Sequence, residues 1–105
     1  MGAIRMTYST AAVLHALDAG RRYGFEISQA TGLRRGTVYP ILRRLEDAGL
    51  VSSRWEEPED ARAQGRPPRK YYELEPASRP VLERARDRYP LPELDLSGST
   101  AGSSS

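Results

Sequence analysis

The stretch LRRGTVYPILRRLEDAG, Leu33 to Gly49, decides the fold of this chain. Val38, Ile41, Leu42 and Leu45 recur at i, i+3, i+4 and i+7, the spacing of one apolar helix face. Ala48 continues the line and Gly49 is the stop signal. The opposite side of the wheel carries Gly36, Pro40, Arg43 and Asp47, flanked by Thr37, Tyr39 and Arg44. Arg34 and Arg35 stand beside the helix start. Pro40 has no amide hydrogen and its ring crowds the carbonyl of Gly36, four residues back. This lies in an early turn, so a slight kink or a late start is expected rather than a break.

Outward from this helix, a short segment from Gly24 to Thr31, closed by Gly32, reads as a second helix with Ile27 and Ala30 on one face. Leu33 follows the turn and plugs the junction. Upstream, Ser9 or Thr10 suits the cap of a helix running to Asp18, with Gly20 just beyond its end. Ala12, Val13, Ala16 and Leu17 form its stripe, and Leu14 widens it beyond what one core face needs. Downstream, Val51, Ser53 and Trp55 alternate with Leu50, Ser52 and Arg54, and Tyr72 and Leu74 alternate with Tyr71, Glu73 and Glu75. Glu56 to Pro68, rich in charge, Pro and Gly, reads as an exposed flap between these two strands. A last helix fits Arg79 to Tyr89, capped by Ser78, with Val81, Leu82, Ala85 and Tyr89 on one face.

The expected fold is mainly α with a two-stranded β wing, a winged helix-turn-helix. It divides into residues 1–76 as a winged helix-turn-helix DNA-binding domain, 77–90 as a short C-terminal helix for dimerisation, and 91–105 as a disordered tail. The tail ends in SGSTAGSSS, which has nothing to bury.

The chain has 105 residues, 38% hydrophobic and 29% charged, enough for one small core. Domains of this size often gain stability by pairing. With no Cys and a single His, His15, thiolate or His-based metal sites and disulfides are excluded, and no cofactor is expected. Nothing in the inventory suits an enzyme: no nucleophile stands with a base and no Gly-rich loop cradles phosphate. No apolar run reaches a bilayer's width and the N-terminus lacks a secretory apolar core, so no membrane partner is expected and the default compartment is the cytoplasm. The net charge is only +2, and among the basic residues Lys70 is the sole Lys. Arginine is the better fork for phosphates and guanine edges, but a GC-rich genome also encodes it freely.

Several motifs in order carry a resemblance. They are Tyr23-Gly24-Phe25-Glu26-Ile27, Gly36-Thr37-Val38-Tyr39-Pro40-Ile41-Leu42-Arg43-Arg44-Leu45-Glu46 and Ala48-Gly49-Leu50-Val51. Gly65-Arg66-Pro67 and Arg69-Lys70-Tyr71-Tyr72-Glu73-Leu74 complete the set. Together they resemble the PadR-type transcriptional regulators from about Tyr8 to Arg88. The resemblance implies a DNA-binding regulator, a repressor that occludes a promoter. It would act as a homodimer on a pseudo-palindrome in double-stranded DNA, pairing through its first and last helices. Two departures bear on this. Glu75-Pro76 stands where the family has a capping Thr. The last helix, about eleven residues, rises only ~16 Å, which suits the small subclass with one C-terminal helix.

On this reading Arg34, Arg35 and Arg44 position phosphates, while Thr37, Tyr39 and Pro40 meet base edges or thymine methyls. Arg43 is a candidate guanine reader. Tyr39 fits packing against the second helix equally well, and an Arg-rich face taken alone is more often simply solvated. Arg62, Arg66, Arg69 and Lys70 give the wing a basic side, and Gly65-Arg66-Pro67 has the form of an AT-hook core. The acidic run Glu56-Glu57-Pro58-Glu59-Asp60 is expected as a solvated edge. The dimer interface is assigned to Val13, Leu14, Leu17, Val81, Leu82, Ala85 and Tyr89. Trp55 is expected to cover the hairpin's inner face rather than stack a flat ligand, and Tyr71 and Tyr72 to pack. His15 is expected to be solvated or at a subunit contact, with pH sensing as the alternative. Whether a small-molecule effector exists is left open. Two other functions fit the pattern: a protein-interaction adaptor without base readout, and a nonspecific architectural DNA binder.

Overall fold

The computed structural model describes residues 4–92 and 94. Five helices and a two-stranded antiparallel sheet follow the order α1 (Tyr8–Asp18), α2 (Gly24–Thr31), α3 (Arg35–Asp47), β1 (Val51–Trp55), α4 (Pro58–Ala63), β2 (Lys70–Leu74) and α5 (Arg79–Arg88). The fold is a winged helix-turn-helix.

Helix α1 is the centre of the molecule. Its cap is Thr7, in extended conformation, whose hydroxyl accepts from the Thr10 amide at 3.1 Å. Thr10, expected to cap, is instead buried one turn in. α2, α3, α5 and β2 all pack against α1, so its apolar side chains are covered on every side. The wide stripe therefore serves the monomer. Val13, Leu14 and Leu17 are sealed in the subunit's own core together with Ala85 of α5, which removes these four from any surface that could pair. Of the residues assigned to an interface, Val81, Leu82 and Tyr89 remain half-exposed. Two further bonds hold α5 on α1: His15 Nε2 meets the Tyr89 carbonyl oxygen at 2.7 Å, and Arg86 pairs with Asp18 at 2.5 Å.

The turn from α2 into α3 is closed by side chains. Gly32 takes the left-handed conformation, φ +77°, that a Cβ would strain. The Ser28 hydroxyl donates to the Leu33 carbonyl at 2.5 Å, and Thr31 donates to Ile27 at 2.7 Å. Helix α3 begins at Arg35 and continues through Pro40 for 13 residues, so the late start does not occur. Val38, Ile41, Leu42 and Leu45 are its buried residues. Ala48, expected to extend that line, is exposed at the C-cap. Gly49, φ +76°, reverses the chain, with its amide donating to Glu46 and the Leu50 amide to Leu45, a paired closure that aims the chain into β1.

β1 and β2 pair from Val51↔Leu74 to Trp55↔Lys70. The linker before α2 joins as a short third edge: Tyr23 bridges Tyr71, and the Tyr72 amide donates to the Arg22 carbonyl at 2.7 Å. A single bridge leaves no alternation in the sequence to mark this edge. The flap expected over residues 56–68 is partly ordered as α4. Pro58 occupies a first-turn position, Glu59 and Asp60 lie at the positive end, and Arg62 lies at the negative end, each where a helix favours it. Ala61 is fully buried.

Ser78 stands at the N-cap of α5, but its side chain makes no capping bond. A 3₁₀ turn, Pro76–Ser78, precedes the helix, and the Ser78 hydroxyl donates back to Glu75 at 2.7 Å. Beyond α5, Leu91 is buried and Leu94 half-buried against the core, so packing continues past residue 90, where a disordered tail was expected. The remainder of that tail lies outside the described residues.

Candidate nucleic-acid interface

α3 presents Arg34, Arg35, Gly36, Thr37, Tyr39, Pro40, Arg43 and Arg44 on its exposed side. Neither ion pair formed among the described residues uses any of these arginines. Arg34 occupies the N-cap without a side-chain capping bond. The first-turn amides of an α-helix lack partners within it, which makes this end receptive to an anion.

Tyr39 does two things at once. It is 44% exposed, yet its phenol lies over Gly24 so closely that a Cβ there would overlap the ring. Gly24 lets the ring lie this close, and any larger side chain there would make the Tyr39 phenol shift from the start of α2. The packing and surface readings of Tyr39 describe two sides of one ring.

α3 is tied to the wing by Glu46, which accepts the Ser53 hydroxyl at 2.6 Å. The wing itself is held by Glu56. Its two carboxylate oxygens accept from Arg66 at 2.6 and 3.0 Å, and one also accepts the Arg69 amide at 3.2 Å. The Glu56 amide in turn donates to the Arg69 carbonyl at 2.7 Å. The Arg66 guanidinium holds the Glu56 carboxyl below its ordinary value of 4.5, against an opposing push from burial. Glu56 is thus an anchor, where the sequence suggested a solvated edge, and Arg66 is already committed to it. Neither role is visible in composition, because the partners are ten residues apart across α4.

Two of the remaining wing cations, Arg69 and Lys70, lie against rings. The Arg69 guanidinium sits 4.1 Å from the Tyr23 ring centre, and Lys70 Nζ lies 5.8 Å from both Trp55 and Tyr72. Arg62 is exposed on α4. Tyr72 faces inward and its burial pushes the phenol up from 10.0. Trp55 does not cover the inner face as expected: it is 63% exposed. Burial along β1 fades from Val51 to Trp55 because the strand runs out past the helices that cover its start.

Between α2, α3 and the wing these groups enclose a cleft of about 630 Å³, lined among others by Phe25, Tyr39, Arg43, Trp55 and Lys70. Among the described residues no group of three or more His, Cys, Asp or Glu is placed to hold a metal ion. No described helix is long and apolar enough to cross a membrane.

The model of the PadR-like transcriptional regulator family matches residues 13–84. A PadR-family regulator from Clostridium difficile is similar at 25% identity and a TM-score of 0.66, covering 80% of this chain and 88% of that one. A PadR-like transcription factor from Bacteroides fragilis is 27% identical with a TM-score of 0.62, covering 77% and 79%. A MarR-family regulator from Silicibacter pomeroyi shares the fold, at 22% identity and a TM-score of 0.59, over 78% of this chain and 51% of that one. A comparison with curated proteins finds no match.

Proposed function

The chain belongs to the PadR-like family of transcriptional regulators, whose members are not enzymes, and from that premise we propose how it reads and represses an operator. α3 enters the major groove, whose width of about 12 Å admits a helix with its side chains. Arg34, Arg35 and Arg44 take phosphates and fix register; Thr37, Tyr39 and Pro40 meet base edges or thymine methyls; Arg43 reads guanine. Arg62, Arg69 and Lys70 on the wing approach the adjacent minor groove or its phosphates. Arg66 contributes by holding Glu56 in place. The protein acts in the cytoplasm as a two-fold dimer, its α3 helices about 34–36 Å apart on a pseudo-palindrome, and represses by occluding a promoter. Val81, Leu82 and Tyr89, with the exposed Tyr8 ring beside Tyr89, supply the apolar surface left for pairing.

The observation that carries this reading is the division of α3. One face is sealed by four buried aliphatic residues, and the other leaves four arginines outside every ion pair among the described residues. Selection of bound duplexes from a random pool tests it. The expected result is one enriched motif with two inverted half-sites a helical turn apart. Recovery of unenriched sequence, or of no DNA, refutes base readout. Sedimentation at micromolar concentration tests the dimer separately, and a monomer alone and on DNA refutes it.

A further inference from the structure

The cleft beside α3 carries flat ring faces that a stacked duplex would leave without a partner. Phe25, Tyr39 and Trp55 line it and are 47%, 44% and 63% exposed. Large rings left in solvent lose the stabilisation that burial would give them. Arg35, Arg43 and Lys70 share the lining, and neither ion pair among the described residues involves them. Arg35 stands 5.7 Å from the Phe25 ring centre and Lys70 5.8 Å from that of Trp55, so charge and aromatic surface are interleaved. Glu46, the carboxylate in the lining, already accepts a hydroxyl from Ser53.

A duplex supplies phosphates for such cations but keeps the flat faces of its bases stacked inside. An unpaired nucleotide supplies both: a phosphate for the cations and a free π-face for the rings. Interleaved cations and exposed rings are the means by which proteins hold unstacked bases. The volume of about 630 Å³ falls within the range of about 300–1,000 Å³ usual for small-molecule sites.

We propose that this cleft is a binding site for an unpaired nucleoside 5′-phosphate, its base stacked on the Trp55 and Tyr39 rings and its phosphate held by Arg43 and Lys70. Nucleotide binding does not require that the same face read duplex DNA. The ligand comes either from a free mononucleotide or from a single strand.

Trp55 is the only Trp in the chain and lies in the cleft, so its fluorescence reports stacking directly. AMP titrated into the full-length protein is expected to quench it saturably. Adenosine, lacking the charge-assisted contacts, should bind at least about tenfold more weakly. Ribose 5-phosphate should not quench. Lys70→Gln keeps the probe and should weaken AMP about tenfold. Trp55→Ala, followed by calorimetry after circular dichroism confirms folding, should weaken it about 5- to 150-fold, the span of one stacked base. A short single-stranded dA oligomer binding far more tightly than AMP identifies a strand as the source, and equal affinity per nucleotide identifies the free nucleotide. Quenching that rises linearly without saturation, or ribose 5-phosphate competing as well as AMP in calorimetry, overturns the proposal. If a duplex binds and AMP does not, this site is refuted while the DNA reading stands; if AMP binds and no duplex does, the reverse holds.

Discussion

Helix α3 and the wing both carry clustered arginines but hold them by different means. On α3 the positions of Arg34, Arg35, Arg43 and Arg44 are set from behind, by Val38, Ile41, Leu42 and Leu45 locked in the core. Nothing on the solvent side is needed to hold the helix, so its arginines stay outside the ion pairs of the described residues, with Arg35 lying near the Phe25 ring. The wing extends past the core, and beyond Ala61 it has little apolar material beneath it. It is held by its own polar groups: Glu56 gathers Arg66 and the Arg69 amide, and Arg69 lies over Tyr23. A cation on a helix anchored by its apolar face is available to a partner. A cation on an extension with little core beneath it is partly used up in holding the extension.

The largest effect expected from this contrast comes from undoing the apolar anchor. Leu42 is fully buried, and Leu42→Ala should cost about 2–5 kcal/mol in urea unfolding, with loss of all DNA binding at temperatures where the variant melts. Next comes a free cation on the same helix. Arg43→Ala should leave the urea midpoint unchanged and weaken binding to a selected operator by about 1–3 kcal/mol, with relaxed preference at one base position in each half-site. If Arg43→Ala weakens specific and random duplexes equally, the residue positions a phosphate and reads no base.

The same contrast explains what was legible in the sequence. α2 is legible to the residue, and the apolar face and the end of α3 are legible though its start is not, because four aliphatics at helical spacing, two stop glycines and a short turn are all local signals. The exposed cations of α3 followed from the wheel. The width of the α1 stripe is legible in the sequence, but its use is not. Spacing shows that Leu14 is apolar, not that α2, α3, α5 and β2 would enclose it from every side. The wing was the least legible, since its order depends on a carboxylate and a guanidinium brought together across α4. The cues for α4 itself were present, with Pro58 at the start and acids before Arg62, but they were outweighed by a Pro-rich, charged composition. Gly24 is an intermediate case. Its place in a motif is evident, but its neighbour, the Tyr39 ring above it, is visible only in the third dimension.

A smaller effect should appear with acid. Arg66 holds the Glu56 carboxyl below 4.5, so the ion pair is at full strength above the ordinary carboxylate range and is lost as pH falls through the lowered value. Trp55 is next to Glu56 in the chain, and its fluorescence should show a transition below pH 4.5 that is absent from Glu56→Gln. Above that range the parent should be flat and the variant should already resemble the acid form. Identical profiles for parent and variant would mean that the pair does not organise the wing.

The smallest effect sharpens the comparison most. A lysine or arginine that meets a phosphate releases counterions, and each such contact contributes about 0.9 to the slope of log affinity against log salt. Arg62→Ala and Lys70→Ala should each flatten that slope by about that amount. Arg66→Ala should change it by well under half as much, because both guanidinium nitrogens that face Glu56 are engaged by its carboxylate. The variant does leave Glu56 unpaired beside the phosphates, which lowers affinity at low salt by repulsion. Removing both partners, Glu56→Gln with Arg66→Ala, deletes the pair without leaving a charge and should return the slope to that of the parent. If instead Arg66→Ala alone flattens the slope as much as Lys70→Ala, the ion pair opens on binding and Arg66 moves to DNA. The wing would then be a clasp that exchanges Glu56 for phosphate rather than a preformed tip, and its arginines would differ from those of α3 only until DNA arrives.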